Sequence, residues 1–312
     1  MSNQASVNHT QAIATPQQLI ELLGVYWQGH PEHIKLSLCC YLAGGHLLLQ
    51  GPPGTGKTLL ALLLSRLLNL SFGRVQCTAD LLPGDITGVP VYHRSKEQFE
   101  FRPGPVFHEC LLVDELTRAP PKSQSALLEA MAETQVTVDN QCYPLPDHFF
   151  VIATQNEQHE VGTFPLPRAQ LDRFLLSLEI PYPTPEQELQ LLQQGDVHKR
   201  LPAIDHQCEA CTVAGWRAAL EQIAVAEPVY QYITDLLSAS RQQAGCGLST
   251  RAGIGIVQMA KAYALVSDHQ QVLPDHVQAV FLACTAHRLA SPHSNGQETV
   301  PMQQLLQSVP IR

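Results

Sequence analysis

The sequence is poor in charge. Of its 312 residues only 15 % are Asp, Glu, Lys or Arg, and the balance is acidic, with a formal net charge of −9. No Lys/Arg cluster stands along it. Proteins built to hold duplex DNA usually carry a basic face, so nucleic acid is not the expected partner. Sparse charge leaves surface to be covered by other means, and a second subunit is one of them.

Long apolar runs are also missing. The richest stretch, Leu47–Leu68, is broken by Gln50, by Gly51–Lys57, by Ser65 and by Arg66. A membrane helix needs about 20 apolar residues in a row, so no span is expected. The first twenty residues are polar, with no apolar segment behind a basic start, which argues against a secretory signal. The expectation is a cytoplasmic protein. The nine cysteines are scattered, and only Cys208 and Cys211 form a CxxC. A structural zinc site needs four ligands, and His206 adds a third at most. Both thiols read as ordinary, with the buried cysteines acting as small hydrophobes. There is no internal repeat and no low-complexity block.

What is present suits a folded protein of two domains. Hydrophobic residues make up 45 %, enough for a substantial core. Thr15-Pro16 reads as a helix start, and a second helix covers Glu32–Leu42. Short apolar runs at His46–Gln50, Arg74–Thr78, Leu111–Asp114, Phe149–Thr154 and Phe174–Ile180 read as strands. Most are separated by helical segments, which predicts an α/β layered sheet. Two hairpins interrupt this order, one over 135–145 around Asn140, the other over 89–102 with its tip near Ser95-Lys96. The Pro-rich stretch 181–185 reads as a boundary. Beyond it lie helices over Glu186–Gln194, Trp216–Ile223, Pro228–Ser240, Arg251–Val266 and Asp275–Leu289. The domains are therefore placed at 1–183 and 184–312.

Gly51-Pro52-Pro53-Gly54-Thr55-Gly56-Lys57-Thr58 matches G-x-x-x-x-G-K-[ST], with a strand before it and a helix from about Thr58 to Leu68 after it. Its glycines let backbone N–H groups turn toward phosphate oxygens, and the helix N-terminus adds its positive end. Lys57 would reach the β/γ-phosphates and the Thr58 hydroxyl would hold Mg²⁺. The nucleotide-binding set is thus Gly51, Pro52, Pro53, Gly54, Thr55, Gly56, Lys57, Thr58 and the adjoining Leu59. Leu111–Asp114 is an apolar strand ending in two acids, at the end of such sheets where ligands bind. Asp114 would hold Mg²⁺, directly or through water, and Glu115 would orient the attacking water. A further apolar strand ends at Asn156, which either reaches the γ-phosphate or simply forms a turn.

The order of these motifs resembles that of an AAA+ ATPase. The stretch Asp114–Met131 (DELTRAPPKSQSALLEAM) resembles the MoxR family signature. So do Tyr143-Pro144-Leu145-Pro146, Ala153-Thr154-Gln155-Asn156, and Gly162–Pro167 running on to Leu171-Asp172-Arg173-Phe174. The resemblance implies a parallel five-stranded P-loop NTPase core with hairpin insertions and a small helical lid. It implies that Asn156 is sensor 1 and that Arg251 is sensor 2 of the lid. Arg173 would be an arginine finger completing a neighbour's site. Arg168 stands where relatives often carry an acid and is a second candidate; Arg173 is chosen because it alone sits in the matching motif. A hexameric ring, ATP with Mg²⁺, and a protein client such as a von Willebrand A-domain protein follow from the same resemblance. The 135–145 and 79–103 hairpins match insertions that face the pore or the client in relatives. A nucleic-acid motor and a nucleotide-gated scaffold without turnover are the alternatives. The charge balance opposes the first, and the filled catalytic positions oppose the second.

Overall fold

The computed structural model describes residues 13–156, 162–195, 208–242, 247–289 and 302–311. Two helices come first. In α1 (Pro16–Tyr26) the Thr15 hydroxyl accepts from Gln18 N while the Gln18 side chain accepts from Thr15 N, a reciprocal cap reinforced by Pro16. α2 (Pro31–Leu42) buries a run from Ser37 to Leu42 and stops before Gly44, whose φ is +69°.

The central layer follows as β1 (Leu47–Gln50), α3 (Lys57–Leu67), β2 (Phe72–Gln76), α4 (Pro83–Thr87), β3 (Gly88–His93), β4 (Gln98–Pro103) and β5 (Cys110–Asp114). Then come α5 (Pro121–Glu133), β6 (Gln135–Val138), β7 (Gln141–Pro144), β8 (Phe150–Gln155), α6 (Arg168–Leu171) and β9 (Leu176–Glu179). Five strands form one parallel sheet in the order β2-β5-β8-β1-β9. All five expected strands are in it. β2 starts two residues earlier than expected because its register runs from Phe72 opposite Cys110 to Gln76 opposite Asp114. The strand period of two divides the sheet cleanly. Leu47, Leu49, Leu112 and Ile152 face one apolar cluster, and Leu48, Leu111, Val113 and Val151 face another. Leu47, Leu48 and Leu49 are wholly buried, and each contributes about 1.5–3 kcal/mol by leaving water.

Both expected hairpins are present. β6 and β7 turn through Asp139 and Asn140, whose positive φ values of 50° and 63° suit a tight two-residue connection. β3 and β4 pair from Gly88↔Pro103 to His93↔Gln98. The rings of Phe101 and Tyr143 stack at 4.1 Å and so tie one hairpin to the other.

The C-terminal part is helical: α7 (Pro185–Gln194), α8 (Ala210–Gln222), α9 (Glu227–Gln242), α10 (Thr250–Val266), α11 (Pro274–Leu289) and α12 (Met302–Ser308). α8 begins six residues before the expected start at Trp216. Its N-cap, Glu209, makes no side-chain capping bond, so the sequence holds no local signal there. Burial of Val213 and Trp216, and a bond from Trp216 Nε1 to Ala14 O (3.2 Å), stabilise the extra turns. α12 had no sequence signal either; Leu305 anchors it against α9 and α11. Apolar residues of α8 to α12 join the cluster on the α2–α3 side of the sheet. Cys208 is buried, while Cys211 is exposed and its thiol donates to Glu209 Oε2 (3.3 Å). His206 lies outside the described residues.

Two buried histidines pin the sheet to its surroundings. His46 Nδ1 accepts from Val151 N (3.1 Å), so Nε2 carries the proton and donates to Met131 O (3.3 Å). His287 Nε2 bonds Phe174 O at 3.0 Å. Burial pushes His46 down from 6.5 to about 4 and His287 to about 3. The unfolded chain therefore binds protons near pH 6.5 that the folded chain refuses. Stability is full above that pH and falls as pH drops toward 4. Each histidine adds a slope of up to about 1.4 kcal/mol per pH unit. Urea unfolding of the parent at pH 7 and pH 5 checks this, and His287→Gln is expected to lose part of the difference.

Candidate active site

The loop Gly51–Gly56 leaves the C-terminal end of β1 and enters α3. Gly51 has φ +132°, and a Cβ there would stand 2.2 Å from Ile180 O. Gly56 caps α3 at φ +84° and packs against Trp27, whose Nε1 donates to Gly56 O (3.1 Å). Only glycine accepts both requirements. The loop, the ends of β5 and β8, the 27–31 segment and the 180–184 segment enclose a cavity of about 710 Å³. It lies outside the carboxyl ends of the strands, next to the point where β1 separates β8 from β9.

The expected residues converge on this cavity. Pro53 through Leu59, Asp114, Glu115 and Asn156 line it. Gly51 and Pro52 instead serve Lys57: their carbonyl oxygens each accept from its buried Nζ at 2.7 Å. Thr58 Oγ1 and Thr154 Oγ1 donate to Oδ1 of Asp114 at 3.1 and 3.2 Å. The other carboxylate oxygen, Oδ2, accepts from Arg74 Nε (2.9 Å) and pairs with Arg74 Nη2 (2.7 Å). Glu115 holds a left-handed backbone, φ 56° and ψ 51°, which is uncommon outside glycine. Its N–H donates to Thr154 Oγ1 (2.9 Å), which secures the bend. Its Oε1 accepts from Asn156 Nδ2 (3.1 Å) and its Oε2 pairs with Arg118 Nη1 (2.9 Å). Strain of this kind, stored beside a cavity, is characteristic of functional sites.

A buried lysine, glycine-rich backbone and a helix N-terminus face two acids across one cleft. That arrangement is chemically suited to a polyphosphate. Residues 46–176 match the family described as "ATPase family associated with various cellular activities (AAA)", and residues 237–308 match the AAA lid domain. Chaperone MoxR1 of Mycobacterium tuberculosis is 36 % identical over 276 residues, covering 84 % of this chain and 72 % of that protein. The chain belongs to the MoxR family of AAA+ ATPases. YeaC of Bacillus subtilis is 39 % identical over 256 residues, covering 81 % of this chain and 80 % of its own. Protein MoxR of Paracoccus denitrificans is 31 % identical, with 84 % of each chain covered. A Cytophaga hutchinsonii protein, solved by crystallography as a candidate ATPase, superimposes with a TM-score of 0.82 at 34 % identity. It covers 95 % of this chain and 94 % of its own.

As a MoxR-family ATPase the chain binds nucleotide. The three arginines that the resemblance implicated do not line its cavity. Arg173 is half-buried and its Nη1 donates to Leu128 O of α5 (2.6 Å). Arg168, at the start of α6, is also half-buried. Arg251 is exposed at the start of α10, near enough to His46 and Arg288 for its charge to lower both. Asp172, next to Arg173 in the chain, pairs with Arg288 Nε (3.0 Å) and accepts from the Ser249 hydroxyl (3.2 Å). The lid helices α10 and α11 thus grip the segment that carries Arg173.

Sequence reasoning missed Arg74, Thr154, Arg118 and Trp27. Arg74 and Asp114 are 40 residues apart, and Trp27 and Gly56 are 29 apart. Strand register and helix packing bring them together, and neither is a local signal. Arg118 lay inside the family signature, yet only the turn after Glu115 aims it at that carboxylate.

Proposed function

We propose that this protein hydrolyses ATP with Mg²⁺ in sites completed between subunits of a ring, hexameric by family resemblance. We propose further that it spends the turnover on remodelling or assembling protein clients in the cytoplasm. The observation that carries the reading is one cavity joining Lys57, the Thr58–Asp114 pair and the Glu115–Asn156 pair, with Arg173 outside it.

In this reading the loop amides of 53–58 cradle the phosphates, and Lys57 turns from its two carbonyls to the β/γ oxygens. Thr58 and Asp114 offer adjacent hard oxygen donors, which fit a divalent ion. Bound there, Mg²⁺ neutralises charge developing on the transferred phosphoryl group. Glu115 orients and polarises the attacking water, and Asn156 holds both that carboxylate and the γ-phosphate. Arg173 acts toward a neighbouring subunit's nucleotide. Arg251, at the start of the lid helix α10, is assigned the role of sensor 2. The lid is taken to begin at residue 184.

The client side of the proposal draws on the relative named chaperone MoxR1 and on exposed Tyr92 and Phe99 of the β3–β4 hairpin. A von Willebrand A-domain protein is the proposed partner class. Turnover by the assembled protein is expected to rise with a reduced, unfolded model protein and to be indifferent to single- or double-stranded DNA. Stimulation by DNA alone would favour a nucleic-acid motor and overturn the client reading.

A further inference from the structure

Arg74 lies on the edge strand β2, on the same face as Gln76 and opposite Leu112 in register with β5. From there its side chain crosses to the end of β5. Both Nε and Nη2 close on the same oxygen, Oδ2 of Asp114, at 2.9 and 2.7 Å. The arginine side chain is about half exposed, whereas the Asp114 side chain is only 6 % exposed. Gln76 Oε1 steadies Nη2 from the side at 3.3 Å. A surface ion pair between two mobile chains would contribute little. Here one partner is immobile: Oδ1 of Asp114 is already taken by Thr58 and Thr154. The guanidinium thus covers the other carboxylate oxygen and offsets the charge that an arriving cation would meet, and it lines the same cavity as Thr58 and Asp114.

Resting on the reading that Thr58 and Asp114 hold the divalent ion, we infer that Arg74 is a positioning residue that competes with that ion for Asp114. It keeps the buried carboxylate neutralised and oriented while the site waits, and its charge opposes a second cation on the same group. Arg74 therefore sets how much divalent ion the site requires.

The test is a titration of full-length protein with Mn²⁺ in the presence of ADP, following free Mn²⁺ by electron paramagnetic resonance. ADP is used so that no γ-phosphate can take up the guanidinium. Arg74→Ala and Arg74→Gln are expected to bind Mn²⁺ at least fivefold more tightly than the parent. Arg74→Lys, which keeps the charge, is expected within about twofold of it. Asp114→Asn is expected to bind at least tenfold more weakly. Thermal unfolding of each variant shows that the site is folded. Unchanged or weaker Mn²⁺ binding by both neutral variants, with Asp114→Asn still weakened, overturns the role of Arg74 and leaves the site intact. Unchanged binding by Asp114→Asn overturns the reading of the site itself, and the inference with it.

Discussion

Lys57→Ala is expected to bind ATP at least about a hundredfold more weakly than the parent. Its Nζ is buried and held by the carbonyls of Gly51 and Pro52, at the mouth of the loop whose amides face the cavity. A charged donor placed there makes two or more bonds to phosphate oxygens, each worth about 1.5–3 kcal/mol when charge-assisted. Losing about 3 kcal/mol corresponds to roughly a hundredfold in affinity. The same substitution leaves two carbonyls short of a donor, so a modest loss of stability accompanies it. Titration with a fluorescent ATP analogue, alongside urea unfolding, separates the two effects. Parent-like affinity in a folded variant would remove Lys57 from the phosphate site.

Arg173→Ala is expected to lower turnover by about 10³ or more, with ATP affinity close to the parent's. Arg173 stands outside the cavity of its own chain and donates to Leu128 O, so the finger role proposed for it is directed at a neighbour's site. A role in hydrolysis requires a neighbour, and then specific activity rises with protein concentration until rings are filled. Mixing Arg173→Ala with Lys57→Ala subunits restores some activity, because an intact Lys57 site then meets an intact Arg173. Arg168→Ala, made in parallel, distinguishes the two candidate fingers. Turnover per subunit that stays flat on dilution to a monomer, shown by sedimentation, rejects the shared site whichever arginine is involved.

Much of the site was legible because its parts are contiguous. The glycine-rich loop is eight consecutive residues whose conformation follows from glycine and from the helix that begins at Lys57. The acids follow directly on an apolar strand, and Asn156 follows directly on another. Reading each required only the local pattern. The parallel sheet was legible for the same reason, since fully buried strands are continuous apolar runs.

The short helices α4, α6 and α12 carried no comparable pattern. They are too short to show a helical period, and burial of Ile86 in α4 or Leu305 in α12 holds them in place. Arg74 illustrates the limit at the site. In sequence it is one charged residue in a strand, and nothing nearby distinguishes it from a solvated side chain.

The sequence by itself determined the glycine-rich loop, the acidic strand end, the layered α/β class and the helical C-terminal part, because each shows as a local run of residues or as the order of such runs along the chain. Tertiary structure alone decided that Arg74 closes on Asp114, that Trp27 braces Gly56, that Asp172 is gripped by Ser249 and Arg288, and that Arg173 and Arg251 lie outside the cavity. Those outcomes depend on strand register and on which helix packs where, and such contacts are selected by burial of the whole core rather than by any local run of residues.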